Sequence, residues 1–230
     1  MLDSVLFEFD GVLADTGDAR RDALLSTLRA EGIELTESEY RETCAGLAMD
    51  DAVRAAFASH GALGSTSAVA VAVLRAERAY RAYLGKGLTL ADGARDVIER
   101  FLPAARLGIV TRAGRREVDF VLSLARLEHA FTCIVASEDA FPGKPSPAPY
   151  RAALERLERR RRVPARAHVV ALEDSLSGIR SARGAGLACV AVGNLPAHVA
   201  MEADAYLASI SGLTPERLLA LLTRSGEPIV

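Results

Sequence analysis

Apolar positions along the chain follow helical spacing over a long stretch that comes after one short strand-like run. Residues 5–9 are strand formers closed by Asp10 and Gly11, and this pattern predicts a buried strand. From there to residue 84 the apolar positions recur three and four apart, which is typical of amphipathic helices. Helices are predicted at 18–31, 52–59 and 67–84, and the capping-box pattern of residues 36–39 begins another.

After Gly85, Lys86 and Gly87 the pattern changes to helices that alternate with short apolar runs. Helices are predicted at 94–101, 115–126, 149–162 and 176–185, and strands at 106–111, 131–136, 167–172 and 189–192. Alternation of this kind predicts an α/β fold, a parallel sheet with helices on both faces. Because the first strand belongs to the same sheet, we predict a core of residues 1–15 and 88–230, interrupted by a helical domain at 16–87.

Composition narrows the class of protein. The chain has 230 residues, half of them hydrophobic, and a formal net charge of −2. These values favour a globular fold over disorder, and they do not favour a nucleic-acid partner. We expect neither a membrane partner nor a signal peptide, since no apolar run has the required length. Three scattered cysteines predict no disulfide framework. A cytoplasmic location follows, while the oligomeric state is left open.

Candidate chemistry lies where the predicted strands end. In an open parallel sheet, ligands bind beyond the carboxyl ends of the strands. The polar residues expected there are Glu8, Asp10, Thr111, Arg112, Lys144, Glu173 and Asp174. Carboxylate oxygens in this number suit Mg²⁺, and a lysine with a hydroxyl suits phosphate oxygens. Of the 28 basic residues only Lys86 and Lys144 are lysines, which makes Lys144 a distinctive position.

Each of these signals alone has a structural alternative. Asp10 before Gly11 is also common turn chemistry. The acidic residues before Ser175 also suit the capping of a helix N-terminus. Lys144 between Gly143 and Pro145 could be a solvated loop residue, and Arg112 a surface arginine. The four motifs in order, each at a predicted strand end, favour a magnesium-assisted phosphoryl-transfer site over the alternatives for Asp10, Lys144 and the acidic residues. For Arg112 both interpretations stay open.

The order of residues 8–16, Thr111, Lys144–Pro145 and Glu173–Ser175 resembles the haloacid dehalogenase superfamily, in its branch of small phosphatases and β-phosphoglucomutase. The resemblance covers essentially the whole chain and implies a Rossmann-like core with a helical cap. It assigns the nucleophile to Glu8 and the general acid/base, which also ligates Mg²⁺, to Asp10. It assigns phosphate binding to Thr111 and Lys144, and metal binding to Asp174 with Glu173.

Glu8 departs from the family pattern, which has aspartate at this position. The extra methylene adds about 1.5 Å of reach, and a misplacement of about 1 Å can cost on the order of 100-fold in rate. Glu8 is still able to ligate Mg²⁺ through an oxygen. The change therefore predicts reduced turnover, unless a shift of the backbone restores the alignment.

The cap departs from a β-phosphoglucomutase in two places. Arg20 stands where the mutase carries a histidine, and residues 45–49 lack the polar residues that read a sugar phosphate there. A mutase must hold a second phosphate in the cap, for which the sequence offers only Arg20, Arg41 or Arg54. These departures do not favour mutase activity.

Three functions remain in competition. The first is a Mg²⁺-dependent hydrolase that acts on a small phosphorylated metabolite through a phospho-carboxylate on Glu8. The second is a catalytically impaired regulatory protein that binds metal and phosphate. The third is a dehalogenase, in which the same carboxylate attacks carbon. That chemistry does not need the metal ligands Glu173 and Asp174, so their presence argues against it.

Overall fold

A parallel six-stranded sheet forms the centre of the computed structural model, which describes residues 2–61, 66–87, 90–159 and 169–223. The strands are β1 (Ser4–Phe7), β2 (Arg106–Val110), β3 (Cys133–Val135), β4 (Val169–Glu173), β5 (Ala188–Val192) and β6 (Ala205–Leu207). Their order across the sheet is β3-β2-β1-β4-β5-β6, and every neighbouring pair is parallel. The predicted α/β fold class is therefore confirmed.

Helices surround the sheet and form the long segment between β1 and β2. They are α1 (Gly17–Ala30), α2 (Glu37–Thr43), α3 (Met49–Ser59), α4 (Thr66–Leu84), α5 (Ala94–Phe101), α6 (Arg115–Ala125), α7 (Ala148–Glu158), α8 (Leu176–Gly184), α9 (Ala197–Ala200) and α10 (Pro215–Thr223). The helices α1 to α4 pack on one another, as the apolar spacing predicts. No described helix combines the length and apolarity that a bilayer crossing requires.

The alternation of side chains along β1 explains why helices cover both faces of the sheet. Successive side chains of a strand point to opposite faces. Val5 and Phe7 join an apolar cluster with α5, α6, α10 and the helices α1, α3 and α4, whereas Leu6 joins a second cluster with α7 and α8. Because both faces are buried, the strands are almost continuously apolar, and polar residues collect where the strands end.

The structure departs from the predicted elements mainly at their ends. The first strand ends at Phe7 instead of residue 9, because the chain turns at Gly11, whose φ of +81° favours glycine. The N–H of Gly11 closes the turn on the carbonyl of Ala14 at 2.9 Å. Helix α3 begins at Met49, which moves this residue from the predicted loop into a helix.

Three elements of the structure were not predicted, and several predicted positions fall outside the described residues. The elements α9, β6 and α10 were not predicted, since β6 has only three residues and half-exposed Tyr206 breaks its apolar run. The predicted extension of α7 through 160–162, the start of a strand at 167–168 and the domain boundary at residue 88 lie outside the described residues.

Candidate active site

The carboxyl ends of β1, β2 and β4 meet at one cavity of about 180 Å³. The register pairs Phe7 with Ile109 on one side and with Leu172 on the other, so the residues that follow these positions converge. The cavity is lined from the sheet by Glu8, Asp10, Thr111, Arg112 and Asp174, and from the helical segment by Arg20, Tyr40, Gly46 and Leu47. The structure thus brings five of the seven candidate residues to one cavity.

Lys144 and Glu173, the other two candidates, lie beside it in a buried ionic cluster. The Nζ atom of Lys144 donates to Glu8 Oε2 and to Glu173 Oε1, both at 2.5 Å, and to the Val110 carbonyl at 2.7 Å. Burial alone would lower the pKa of Lys144, but the charges of Glu173 and Glu8 outweigh it and raise that pKa. The lysine is therefore a fixed cation at the foot of the cavity, which excludes the solvated-loop alternative.

A tyrosine that the sequence did not single out completes this cluster. The hydroxyl of Tyr150, on α7, donates to Glu173 Oε1 at 2.6 Å, and both side chains are fully buried. Burial and the neighbouring charge of Glu173 raise the pKa of Tyr150 well above its ordinary value, so it stays a donor. Nothing in the sequence marked this residue, because it lies among the apolar positions of a helix.

Three carboxylates form a group that fits a hard cation. Oxygens of Glu8, Glu173 and Asp174 lie within 4.8 Å of one another. Burial raises the pKa of Asp174 well above its usual range, and the charges of Glu8 and Glu173 add to this effect. A divalent cation among these oxygens would offset the repulsion, and an oxygen-only donor set suits Mg²⁺.

Two glycines leave the space that this carboxylate group occupies. A Cβ atom at Gly11 would lie 2.1 Å from Asp174 Oδ2, and one at Gly178 would lie 1.8 Å from Glu173 Oε2. The close approach of both carboxylates therefore depends on glycine. Ser175, and neither acid, caps α8 by accepting from the Gly178 N–H at 3.1 Å, so the acids are not spent on capping.

Glu8 has both carboxylate oxygens engaged. Oε2 accepts from Lys144, and Oε1 accepts from the N–H of the next residue, Phe9, at 2.7 Å. The longer side chain thus bends back to its own backbone, while β1 keeps its register through the bond from the Glu8 N–H to the Leu172 carbonyl. The hydrogen bonds of this carboxylate therefore join the end of β1 to Lys144 and to the backbone of the following residue.

Asp10 lies outside the carboxylate group and pairs with a residue of α1. Its Oδ2 is 3.0 Å from Arg20 Nη2, and its Oδ1 accepts from the hydroxyl of Thr16. Thr16 occupies the N-cap position of α1 but makes no side-chain capping bond. The side chain of Asp10 is therefore positioned by the start of the helical segment.

Glu117, on α6, shares Arg20 with Asp10. Arg20 Nη2 is 2.6 Å from Glu117 Oε2, and both side chains are buried. Burial raises the pKa of Glu117, and the charge of Arg20 opposes this rise. The sequence showed Glu117 only as a residue near the start of a helix, where it also accepts from the Gly114 N–H at 3.4 Å.

The remaining arginines proposed for the cap lie elsewhere. Arg41 pairs with Glu37 at 3.0 Å on the exposed side of α2, and exposed Arg54 lines a separate cavity. Tyr40, which the sequence did not indicate, reaches the active cavity, and burial raises its pKa. Thr111 is buried, with its Oγ1 accepting from the Ala113 N–H at 3.1 Å.

Comparison with known proteins places this chain in a family. The family of haloacid dehalogenase-like hydrolases matches residues 5–192. Protein CbbY of Cereibacter sphaeroides is 34% identical over 200 residues, which cover 83% of this chain and 84% of that protein. Validoxylamine A 7'-phosphate phosphatase of Streptomyces hygroscopicus subsp. limoneus is 28% identical over 90% of this chain and 93% of its own length.

A solved structure agrees with these relatives. A mutant of CbbY from Rhodobacter sphaeroides, in complex with xylulose-(1,5)bisphosphate, has a TM-score of 0.77 and 30% identity. The alignment covers 93% of this chain and 96% of that one. The match confirms the Rossmann-like α/β fold, and the relatives support an enzyme that hydrolyses phosphoric monoesters. The chain belongs to the family of haloacid dehalogenase-like hydrolases.

Proposed function

We propose that the protein is a Mg²⁺-dependent phosphatase acting on a small phosphorylated metabolite in the cytoplasm. The observation that carries the proposal is the convergence of Glu8, Thr111 and Asp174 at one cavity, with Lys144 and Glu173 in the buried ionic cluster beside it. Relatives that include a phosphatase and a protein bound to a sugar bisphosphate support this substrate class. The three cysteines, which are buried and form no disulfide, support a reducing compartment.

In this proposal Thr111 and Lys144 hold the phosphoryl group, and Arg112 binds a substrate anion. The metal would be held by carboxylate oxygens of Glu8, Glu173 and Asp174 with the backbone carbonyl of Asp10. Bound Mg²⁺ would neutralise negative charge on the phosphoryl oxygens. The lysine and the threonine hydroxyl orient the phosphorus toward the Glu8 carboxylate.

The chemistry takes two steps. An oxygen of Glu8 attacks phosphorus, the bond to the leaving oxygen breaks, and Asp10 donates a proton to the departing alcohol. Asp10 then accepts a proton from water, which attacks the phospho-carboxylate, releases inorganic phosphate and restores Glu8. Residues 16–87 act as a cap that contributes Arg20, Tyr40 and Leu47 to the cavity and excludes bulk water.

The test is hydrolysis of an aryl phosphate in Mg²⁺ by the native protein, Asp10→Asn and Glu8→Gln. The proposal expects native turnover that requires Mg²⁺ and that both variants abolish. Exposed Asp15, which follows the same turn, supplies the control Asp15→Asn with nearly native activity. Native activity that survives in Asp10→Asn contradicts the assignment of the acid/base.

A second candidate is a binding protein that has lost efficient turnover, and the geometry of Glu8 favours it. Attack requires a carboxylate oxygen free to approach phosphorus, and both oxygens are engaged by Lys144 and the Phe9 N–H. Glu8→Asp separates the two functions. No native turnover with a large gain in Glu8→Asp favours the binding protein, whereas native turnover at least equal to that of Glu8→Asp favours the enzyme.

A further inference from the structure

Arg112 differs from the other cations at the active cavity because no carboxylate binds it. Lys144 is shared between Glu8 and Glu173, and Arg20 between Asp10 and Glu117. Within the described parts of the chain, Arg112 forms no hydrogen bond and no ion pair, yet its side chain is only partly exposed. A guanidinium placed in a cavity without a partner is available for an anionic ligand.

The position of Arg112 connects two cavities. Arg112, Thr111 and Leu47 line both the active cavity and a neighbouring cavity of about 220 Å³. The neighbouring cavity is also lined by Lys144, the Ser137 hydroxyl and one carboxylate, Asp51. A ligand whose phosphoryl group is bound at Thr111 and Lys144 therefore has adjoining space that contains the free guanidinium.

The cap loop lies close to the guanidinium at Gly46. A Cβ atom at Gly46 would lie 2.4 Å from Arg112 Nη2 and 3.2 Å from its Cζ, so glycine leaves the space that the guanidinium occupies. Gly46 also has a φ of +72°, which favours glycine independently. Residues 45–49 contain no ionisable side chain, so the loop packs on the arginine without neutralising it.

We propose that Arg112 binds a second anionic group of the substrate, a phosphate or a carboxylate. The inference rests on the proposed phosphatase function and narrows it to phosphomonoesters that carry a second anion. A guanidinium presents a planar fork of donors that fits either group bidentately. The cation of this subsite comes from the loop after β2 in the core, and the cap contributes the glycine against which it packs.

The test compares substrates that differ in the second anion. We would measure kcat/KM for glycerol 3-phosphate, 3-phosphoglycerate and glycerol 1,3-bisphosphate, and for fructose 6-phosphate and fructose 1,6-bisphosphate. In at least one set, the native protein is expected to prefer a substrate with a second anionic group over the one without it. Arg112→Gln should lower that preference by about 10- to 100-fold, the usual range for losing charge-assisted hydrogen bonds.

Two further variants sharpen the test. Gly46→Ala should lower the same preference, because the added methyl displaces the guanidinium while its charge remains. Arg116→Gln, which removes an equal charge from an exposed position on α6, should retain the native preference. The carboxylate and bisphosphate substrates show which anion the subsite accepts.

The outcomes separate this inference from the function on which it rests. The subsite is overturned by equal kcat/KM within every set, or by an Arg112→Gln loss that is the same with and without a second anionic group. Either result leaves the proposed phosphatase activity unaffected. If the protein hydrolyses none of these compounds, the proposed phosphatase activity is overturned. Calorimetric binding of the same compounds in Mg²⁺ then decides the subsite, which fails if Arg112→Gln binds the bisphosphates as tightly as the native protein does.

Discussion

Two buried cations flank the cavity, and each is shared between two carboxylates in a different setting. The Lys144 cluster, with Glu8 and Glu173, is built from strand ends and a loop of the core. The Arg20 cluster joins Asp10 and Glu117 of the core to a helix of the inserted segment. The first therefore depends on the core alone, whereas the second also depends on how the helical segment packs against the core.

The further contacts of Lys144 and its partners come from the core, whereas those of Arg20 come from the helical segment. In the Lys144 cluster, Lys144 donates to the Val110 carbonyl and the Tyr150 hydroxyl donates to Glu173, and all of these groups belong to the core. Arg20 lies 5.6 Å from the ring of Tyr80, on α4, and reaches the Leu47 carbonyl at 3.5 Å. The residues proposed to bind metal and phosphate thus pair within the core, whereas Asp10, the proposed acid/base, pairs with a residue of the inserted helical segment.

The largest expected effect is that of Lys144→Met. Removal of the ammonium leaves Glu8 and Glu173 buried without a countercharge, which should lower the free energy of unfolding by about 3–5 kcal/mol in metal-free buffer. Urea denaturation measures the loss, and added Mg²⁺ should restore part of it. Lys86→Met, at the exposed second lysine, is the control and should change stability by less than about 0.5 kcal/mol.

The conservative variant Lys144→Arg keeps the charge and changes the shape of the cation, so it tests whether phosphate binding depends on both. A planar guanidinium does not fit between Glu8 Oε2 and Glu173 Oε1, each 2.5 Å from Nζ, without moving them. Binding of inorganic phosphate, measured by calorimetry, should weaken about 10-fold or more. Unchanged binding would mean that Lys144 contributes only a charge.

The Arg20 cluster should respond less strongly, because Asp10 is partly exposed. Arg20→Met should lower the free energy of unfolding by about 2–3 kcal/mol and Glu117→Gln by about 1–2 kcal/mol. The double variant should show a coupling of about 1–2 kcal/mol in urea denaturation. Glu99→Gln, on the surface of α5, is the control. Additive losses would show that the cap and the core are not coupled through this pair.

Tyr150→Phe removes a single donor from the Lys144 cluster. Glu173 Oε1 keeps its bond from Lys144, so the expected loss of unfolding free energy is about 1–2 kcal/mol. Tyr83→Phe, at a surface tyrosine of α4, should have almost no effect. A loss as large as that of Lys144→Met would contradict the expectation that the ammonium contributes more to the stability of the cluster than the hydroxyl does.

The smallest effect is expected at Asp139, which reverses the arrangement near the surface by pairing one carboxylate with Arg115 and Arg156. Burial alone would raise the pKa of Asp139, but bonds from Arg156, the Ala136 N–H and Arg115 lower it to about 2. The folded pKa lies below the unfolded value of about 3.9, so the contribution is complete above that value and is lost as the pH falls toward 2.

Solvent screening limits this contribution to about 1 kcal/mol or less. The stability difference between the native protein and Asp139→Asn should be constant from pH 7 to about 5 and shrink below about 4. Urea midpoints across this range measure it. A difference that persists unchanged at pH 3 would contradict the lowered pKa.

The sequence by itself determined the alternation of elements, the interrupted sheet and the polar residues at the strand ends. Each follows from local physics, because side-chain periodicity reports burial and parallel strands place their carboxyl ends at one edge. Glu8, Thr111, Lys144, Glu173 and Asp174 were predicted together for that reason. The end of β1 at Phe7 and the late elements α9, β6 and α10 were not predicted, because short apolar runs carry little periodic signal.

Only the tertiary structure decided which charges meet. Glu117 and Tyr150 lie on helix faces, where a polar residue has no local sign of its partner, and packing alone brings them to Arg20 and Glu173. The same holds for Arg112 against Gly46, because the close approach joins the core to a loop of the helical segment that is distant in sequence. Local spacing places residues on elements, but the charges in a buried site are paired by contacts between elements.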